Sequence, residues 1–571
     1  MRRDRCCRLA ALVLALALLS GCAGTDGAGE ARAAAFQESA AALRAAAVTD
    51  QVRQELGEDP AGEAGWAVFF SVCGGAERAS VYSAAGDSLE SAWDAAASAA
   101  ETALARRGPD PVWVKADIVY LSQVIGGDWL DGIGEVFAPG CFRFGLAFDP
   151  GYETALLEAE LNSAGIYDYE NGGVDLTRLN EYLESQGRKS VEALPEEYTA
   201  FQTAGWLCDG SGTVYPLMVD DTGYGRREFA SLDGAAAAAL ALSGAEYLAG
   251  LTEDGGAWDA MTAADRARCL SAMVQCYALS RSETLAGAID RAAGKIAEGI
   301  AYTGEDMAYV LEGEEITLEA CALTLTAMED CEEASGSGAY LPVCEALGKG
   351  ILSLLDTGTG AFTHVLSSAD MTRKEAFRSP AWDGMGAAAL CRLYGLTEDA
   401  MWLWAAGLVL DRMDAEDYAR YGEAWTSRAA AEITKYETGR TDDYLLALKN
   451  AQQNMADIYA AQPADPAGLE LLMASYRCLR QMRDAGYGSQ GFETGLMLQV
   501  ISAQAQKQLD NYVFPEYAMY LEDPQGALGA FLSRDRGLAV TPGGVCANIR
   551  GYLLYAVSYD ALVEDGLLNE G

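Results

Sequence analysis

The pentapeptide AWDxM occurs twice in this sequence, as Ala257–Met261 within GGAWDAM and as Ala381–Met385 within SPAWDGMG, each time just ahead of an Ala-rich run. Trp258 with Asp259, and Trp382 with Asp383, thus set a large aromatic ring beside a carboxylate. A third group, YGEAW, holds Glu423 between Tyr421 and Trp425. Aromatic faces pack on CH-rich surfaces, and a pair of carboxylates can divide proton transfer and nucleophilic attack between them. Glu423 and Asp383 are therefore the candidate acid–base pair, with Trp382, Trp425, Tyr421, Trp258 and Asp259 as candidate substrate contacts. Asp220 and Asp221, in YPLMVDDTGYGRRE with Arg226, Arg227 and Glu228 close by, read either as ligands of a hydroxyl or cation or as a solvated turn.

Each candidate also has a plain structural reading. An Asp before an Ala-rich run is a preferred helix N-cap, bonding free first-turn amides for about 0.5–2 kcal/mol, and its repetition suits a reused helix start. Glu423 reads equally as a first-turn acid complementing the helix dipole. The chain holds one histidine, His364, in TGTGAFTHVL. That excludes multi-His metal sites, and excludes His-dependent Ser or Cys triads unless His364 serves. His364 itself reads as a packed or surface residue of an inserted hairpin rather than a base. Acid–base work falls to carboxylates, Tyr and Lys, and no cofactor or metal is expected.

The elements that must position these residues are helices. From about residue 206 hairpin fragments give way to twelve helical runs, starting near 233, 261, 283, 316, 338, 383, 399, 422, 441, 465, 491 and 546, each bounded by Gly, Pro or acidic turn signals. Leu285, Ile289, Ile296 and Ile300 share one helical face, as do Leu445, Leu448, Met455 and Tyr459. An internal repeat supports pairing of the runs: CYALSRSETLAGAIDRA from Cys276, LYGLTEDAMWLWAAGLV from Leu393 and KYETGRTDDYLLALKNA from Lys435 each give an aromatic, a short polar turn ending in acids, and a new apolar helix.

Helix count and turn signature resemble the six-hairpin (α/α)6 toroid of the glycosidase-like superfamily, over roughly residues 206–566. The resemblance implies a mainly α protein whose C-terminal toroid, 206–571, acts on carbohydrate, since that superfamily holds glycoside hydrolases, sugar epimerases and polysaccharide lyases. In such a ring alternate helices start on one rim and gather their positive N-terminal dipole ends there. The second, fourth, sixth, eighth, tenth and twelfth runs follow AWDAM, EGEEITLEA, SPAWDGMG, ARYGEAWTSR, QPADPAG and VTPGGVCANIRGY, the more aromatic and acidic set. Glycan hydrolysis by the rim carboxylates is the first expectation. A non-catalytic glycan-binding or scaffold protein with a degenerate toroid is the second, and the scarcity of His counts against an epimerase. VFPEYAMYLEDPQGALGAFLSRDRG, from Val513, looks like a loop over the ring mouth, where Tyr517, Tyr520 and Arg534 would touch ligand.

Ahead of the helices, residues 55–205 read as a smaller α/β accessory domain, with strands GWAVFFSVC, ERASVYSA, VWVKADIVYL and CFRFGLAFD and a helix over Asp87–Arg107. Residues 22–54 read as a partly helical tether. Residues 1–21 are a signal peptide: Arg2, Arg3, Arg5 and Arg8, an apolar run Leu9–Leu19, then LSGC, which resembles the bacterial lipobox. Cys22 is the expected lipidation site, placing the protein on the extracytoplasmic face of the cell membrane by a lipid anchor, because no later apolar run approaches the roughly 20 residues of a spanning helix. Net charge is −44, or −47 without residues 1–21. So acidic a surface repels phosphate backbones and anionic headgroups, which argues against nucleic acid and leaves a glycan or cell-wall polysaccharide as the expected partner. Of 14 cysteines, 11 lie beyond Cys22, an odd number without a CxxC, and most sit inside apolar helical runs as small buried hydrophobes.

Overall fold

A computed structural model of the chain describes residues 25–47, 65–106, 109–132, 144–149, 151–168, 172–219, 225–227, 232–253, 255–304, 306–374, 377–461, 464–489, 491–533 and 539–567. Cys22, the Asp220–Asp221 pair and Arg534 fall outside the described residues. The chain forms two compact units, Met1–Glu228 with Phe514–Ala527, and Phe229–Val513 with Leu528–Gly571.

The first unit is built on an antiparallel sheet. Its strands are β1 (Trp66–Cys73), β2 (Ser80–Gly86), β3 (Trp113–Gly126), β4 (Gly145–Ala147), β5 (Ala155–Leu156), β6 (Glu197–Cys208), β7 (Val214–Val219) and β8 (Gly225–Arg227), in the order β2-β1-β3-β6-β4-β5, with β7 on β6 and β8 on β7. Two sequence expectations are corrected here. Residues 25–47 are no tether: helix α1 (Thr25–Ala47) buries Phe36 and Leu43 in one core with Phe70 of β1 and Trp93 of α2 (Leu89–Arg106). The Phe36 and Phe70 rings meet edge-on at 5.4 Å, a geometry that adds to simple burial, and α3 (Leu176–Ser185) packs Leu179 and Leu183 into a second core. Nor does the domain end at residue 205, because Trp206 and Cys208 belong to that same core and β7 and β8 extend the sheet. The segment after Val513 is corrected as well. Phe514–Ala527 completes this unit, and Tyr520 is fully buried, its hydroxyl 2.7 Å from Ser71 Oγ, so it presents nothing to a ligand.

The second unit is the (α/α)6 toroid. Among the described residues its twelve long helices are α4 (Gly234–Glu253), α5 (Ala263–Ser280), α6 (Glu283–Glu298), α7 (Leu318–Ser335), α8 (Leu341–Ser353), α9 (Pro380–Thr397), α10 (Ala400–Ala415), α11 (Ala424–Ile433), α12 (Thr441–Ala460), α13 (Pro466–Asp484), α14 (Thr494–Lys507) and α15 (Pro542–Glu564). The odd-numbered helices from α5 to α15 pack each on the next, and α15 closes on α5, forming an inner ring of six. The even-numbered helices pack outside them. Burial follows this division: α7 is buried on nearly every side, as an inner helix must be, whereas α6 buries one stripe, Leu285, Ala288, Ala292 and Ile296. In α12 the buried stripe is Tyr444, Leu448, Ala451, Met455 and Ile458. Leu445 and Tyr459, expected on the buried face, are exposed.

The repeated turn segments join inner to outer helices. Arg281, Gly336 and Glu398 end α5, α7 and α9 in the left-handed conformation, each amide bonded back to the last turn, which reverses the chain within a few residues. Helix α4 is long and apolar enough by composition to cross a membrane, contrary to the expectation that no later run approaches that length, yet it packs along α15 as an outer helix. The ten cysteines of the described residues are buried free thiols. Cys269 of α5 and Cys546 of α15 bring their sulfurs to 3.9 Å where the ring closes.

Candidate functional site

All six inner helices start on one rim, and their first turns are built in two ways. Thr262, Thr317, Asp465 and Thr541 cap α5, α7, α13 and α15, each side chain accepting a hydrogen bond from a first-turn amide. The neighbours α9 and α11 begin at Ser379 and Glu423 without a side-chain cap among the described residues. These two starts carry the candidate pair. A local rule broken at adjoining positions of an otherwise regular ring is where function is expected.

Asp383 is not a cap. With Ser379 at the N-cap and Pro380 fixing the first helical position, it lies inside the first turn of α9 and is buried. Its Oδ1 lies 3.0 Å from His364 Nε2, and its Oδ2 accepts from Tyr418 Oη at 2.8 Å and from an Arg378 guanidinium nitrogen at 3.3 Å. The Ser379 amide donates to His364 Nδ1 at 3.0 Å. That leaves Nδ1 as acceptor and makes Nε2 the protonated nitrogen, donating to Asp383. Burial pushes the Asp383 carboxyl up, but the bonds from His364 and Tyr418 and the Arg378 charge outweigh it, and the net displacement is downward. Tyr418 is pushed up by burial and by the carboxylate beside it.

Short hairpins hold this cluster. His364 lies between β10 (Ala361–Phe362) and β11 (Val365–Ser367); β11 pairs with β9 (Glu315–Thr317), and the His364 carbonyl accepts the Leu318 amide at the start of α7. The single histidine, expected to be packed or superficial, is thus buried with both ring nitrogens engaged. Tyr418 stands in the 3-10 turn Tyr418–Tyr421, which Gly422 ends at φ +67°. Two glycines of WDGMG bring the parts together. A Cβ on Gly384 would stand 2.8 Å from the Trp425 backbone, so α9 and α11 touch beside Asp383, and one on Gly386 would strike the Phe362 ring.

Glu423 occupies the N-cap of α11, and its carbonyl accepts from Asn450 Nδ2 at 2.9 Å. Its carboxyl is pushed up by burial and by the negative charges of Asp465 and Glu470. Asp383 and Glu423 therefore sit at adjoining helix starts with displacements of opposite sign. Trp382 is half-buried, 4.8 Å from the exposed Phe377 ring and 5.6 Å from the imidazole, and Tyr421 is exposed beneath Arg420.

The remaining expected contacts serve other purposes. Trp425 is buried with the Arg428 guanidinium 3.8 Å over its ring, and Arg428 and Arg550 both bond Glu470, at 2.7 and 2.9 Å, so this indole is part of an ion-paired lining rather than a platform. Trp258 is 0% exposed in the short helix Gly255–Asp259 and belongs to the core. Asp259 is exposed and pairs with Lys295 at 3.2 Å; the cap of α5 is Thr262. Sequence reasoning missed Tyr418, Arg378 and Phe377, whose types are common and whose only signal was closeness to AWDGM and YGEAW.

No protein-family model matches the sequence, and no curated protein does. Solved structures of similar shape include D-mannose isomerase, at 10% identity over 52% of this chain and 86% of that one, TM-score 0.38. Cellobiose 2-epimerase from Bacillus thermoamylovorans aligns at 11% identity over 52% and 88%, TM-score 0.40. A family 76 α-mannanase from Bacteroides thetaiotaomicron aligns at 12% over 53% and 88%, TM-score 0.38. By name these neighbours are carbohydrate-acting enzymes.

Proposed function

We propose that the chain acts on carbohydrate at the rim of its ring, as a glycan hydrolase in which Glu423 is the general acid and Asp383 the ionised partner. The observation that carries this reading is the placing of two carboxyls on touching, uncapped helix starts, Asp383 held by His364 and Tyr418 and Glu423 beside it without such partners among the described residues, an arrangement that displaces them in opposite directions and lets one site keep an acid and a base at the same pH. Trp382, Phe377 and Tyr421 supply the ring faces, and Arg378, half exposed beside the cluster, supplies a donor for hydroxyls. The protein is held at the extracytoplasmic face of a membrane through lipid on Cys22. Incorporation of labelled fatty acid, lost in Cys22→Ser, tests that part.

The chemistry is tested by release of reducing ends from a panel of bacterial, host and plant polysaccharides. Because the Glu423 carboxyl is raised, its protonated fraction persists above the ordinary glutamate value of about 4.3 and falls as pH rises. The rate should therefore drop on the alkaline side, and Glu423→Gln should remove that limb and cost about 10²–10⁴ in rate. Release unchanged in Glu423→Gln would discard the pair. One observation favours the non-catalytic alternative: both oxygens of Asp383 are already engaged, and its side chain is 3% exposed. Binding without release across the panel would make Asp383 a post that holds Arg378 and the α9 start in place for glycan recognition.

A further inference from the structure

We propose a second carbohydrate-binding site, on the outer wall of the ring along α10, taking a neutral oligosaccharide. An outer helix should turn polar residues to solvent. The solvent side of α10 instead runs Met401, Trp404, Leu408, Asp411, Ala415, spaced by three and four so that they form one stripe. Trp404 is 53% exposed although its neighbour Trp402 fills the core at 2%. The stripe leads into an open pocket of about 630 Å³, within the range that holds small ligands. Its opposite wall is the turn Thr357–Ala361, which carries no bulky side chain. Gly360, at φ +70°, lies so close to α10 that a Cβ there would stand 2.4 Å from the Leu408 carbonyl oxygen.

The chemistry of this wall selects the ligand. Its cations are already engaged: Arg412 donates twice to Glu416, at 2.8 and 3.1 Å, and Arg440, which donates to Asp411 at 2.6 Å, is shared with Asp443. Both arginines are thus paired and draw no anion, and the chain's net charge of −44 repels polyanions. What the pocket offers is carboxylate lone pairs and the Thr357 and Thr359 hydroxyls, and one helical turn before Leu408 the stripe adds the exposed Trp404 ring: acceptors for hydroxyls along the same helix as a surface for CH groups. Trp404 and Asp411 are about 10 Å apart along the helix, which suits a short oligosaccharide better than one sugar. Residues 416–423 alone join α10 to α11, so a glycan laid along the stripe is directed toward the rim. The binding itself uses none of the rim residues and stands whether or not the rim is catalytic.

Affinity electrophoresis of the full chain through gels containing α-mannan, xyloglucan or hydroxyethylcellulose tests this, with alginate as the charged control. At least one neutral polymer should retard the protein and alginate should not. Trp404→Ala and Thr359→Trp, both surface changes, should weaken retardation at least tenfold, while Tyr302→Ala, which removes an exposed aromatic away from both sites, keeps it. Retardation unchanged in both outer-wall variants would assign the binding to another part of the protein and overturn the second site. No retardation by any neutral polymer, or retardation by alginate alone, would overturn it too, and would leave the stripe as a surface for another protein.

Discussion

Trp258–Asp259 and Trp382–Asp383 share a pentapeptide frame and end in opposite environments. In the first the indole is buried and the carboxylate reaches solvent; in the second the carboxylate is buried and the indole is half exposed. The difference lies in where the helix begins. Ser379–Pro380 starts α9 upstream of the motif, so Asp383 falls inside the first turn and faces the ring. The corresponding Gly255–Gly256 provides no such start for α5, the motif folds as a separate five-residue helix, and Thr262 captures the cap downstream. Identical neighbours thus acquire different roles through their phase relative to a helix start.

Breaking the two copies separately should expose that asymmetry. The largest effects are expected at the buried members: Trp258→Ala should cost about 3–5 kcal/mol in denaturant unfolding, and Asp383→Ala a similar amount, because it strands a buried histidine and tyrosine. Trp382→Ala should cost only about 1–2 kcal/mol of stability while lowering ligand binding. Asp383 should also give the fold a pH signature. Its folded pKa is lowered, so its stabilisation is complete above the ordinary aspartate value of about 3.9 and is lost as pH falls through the lower folded value. Asp383→Asn should flatten that acid limb. Next in size, Gly384→Ala drives a methyl into the Trp425 backbone and should cost about 1–3 kcal/mol, whereas Ala260→Gly at the matching position should change the thermal midpoint little. Smallest, Asp259→Ala, which removes an exposed ion pair, should stay within about 0.5 kcal/mol. Equal losses for Asp259→Ala and Asp383→Ala would sink the distinction.

The helical plan was legible because it is periodic: the inner helices alternate with outer ones, and each boundary carries Gly, Pro or acid. The turn repeats at Cys276, Leu393 and Lys435 do mark inner-to-outer reversals. The motif residues were legible as types but not as orientations, since one residue of phase decides whether a tryptophan next to an aspartate points to core or rim. The partnership of His364 with Asp383 spans 19 positions across a hairpin, and no periodicity carries such a contact. Residues 25–47 misled because an Ala-rich stretch with few large apolar residues resembles a tether, although Phe36 and Leu43 suffice to dock it.

The meeting of α15 with α5 has a further consequence for how the ring comes into being. Its first inner helix waits for a neighbour made some 260 residues later, so during synthesis the seam faces of α4, α5 and α13 remain uncovered until residues 542–564 emerge. The toroid cannot be completed stepwise from the N-terminus as an open solenoid can. A nascent chain stopped before Pro542 should expose the apolar edge that α15 covers, and so depend on chaperones in a way that the released chain does not.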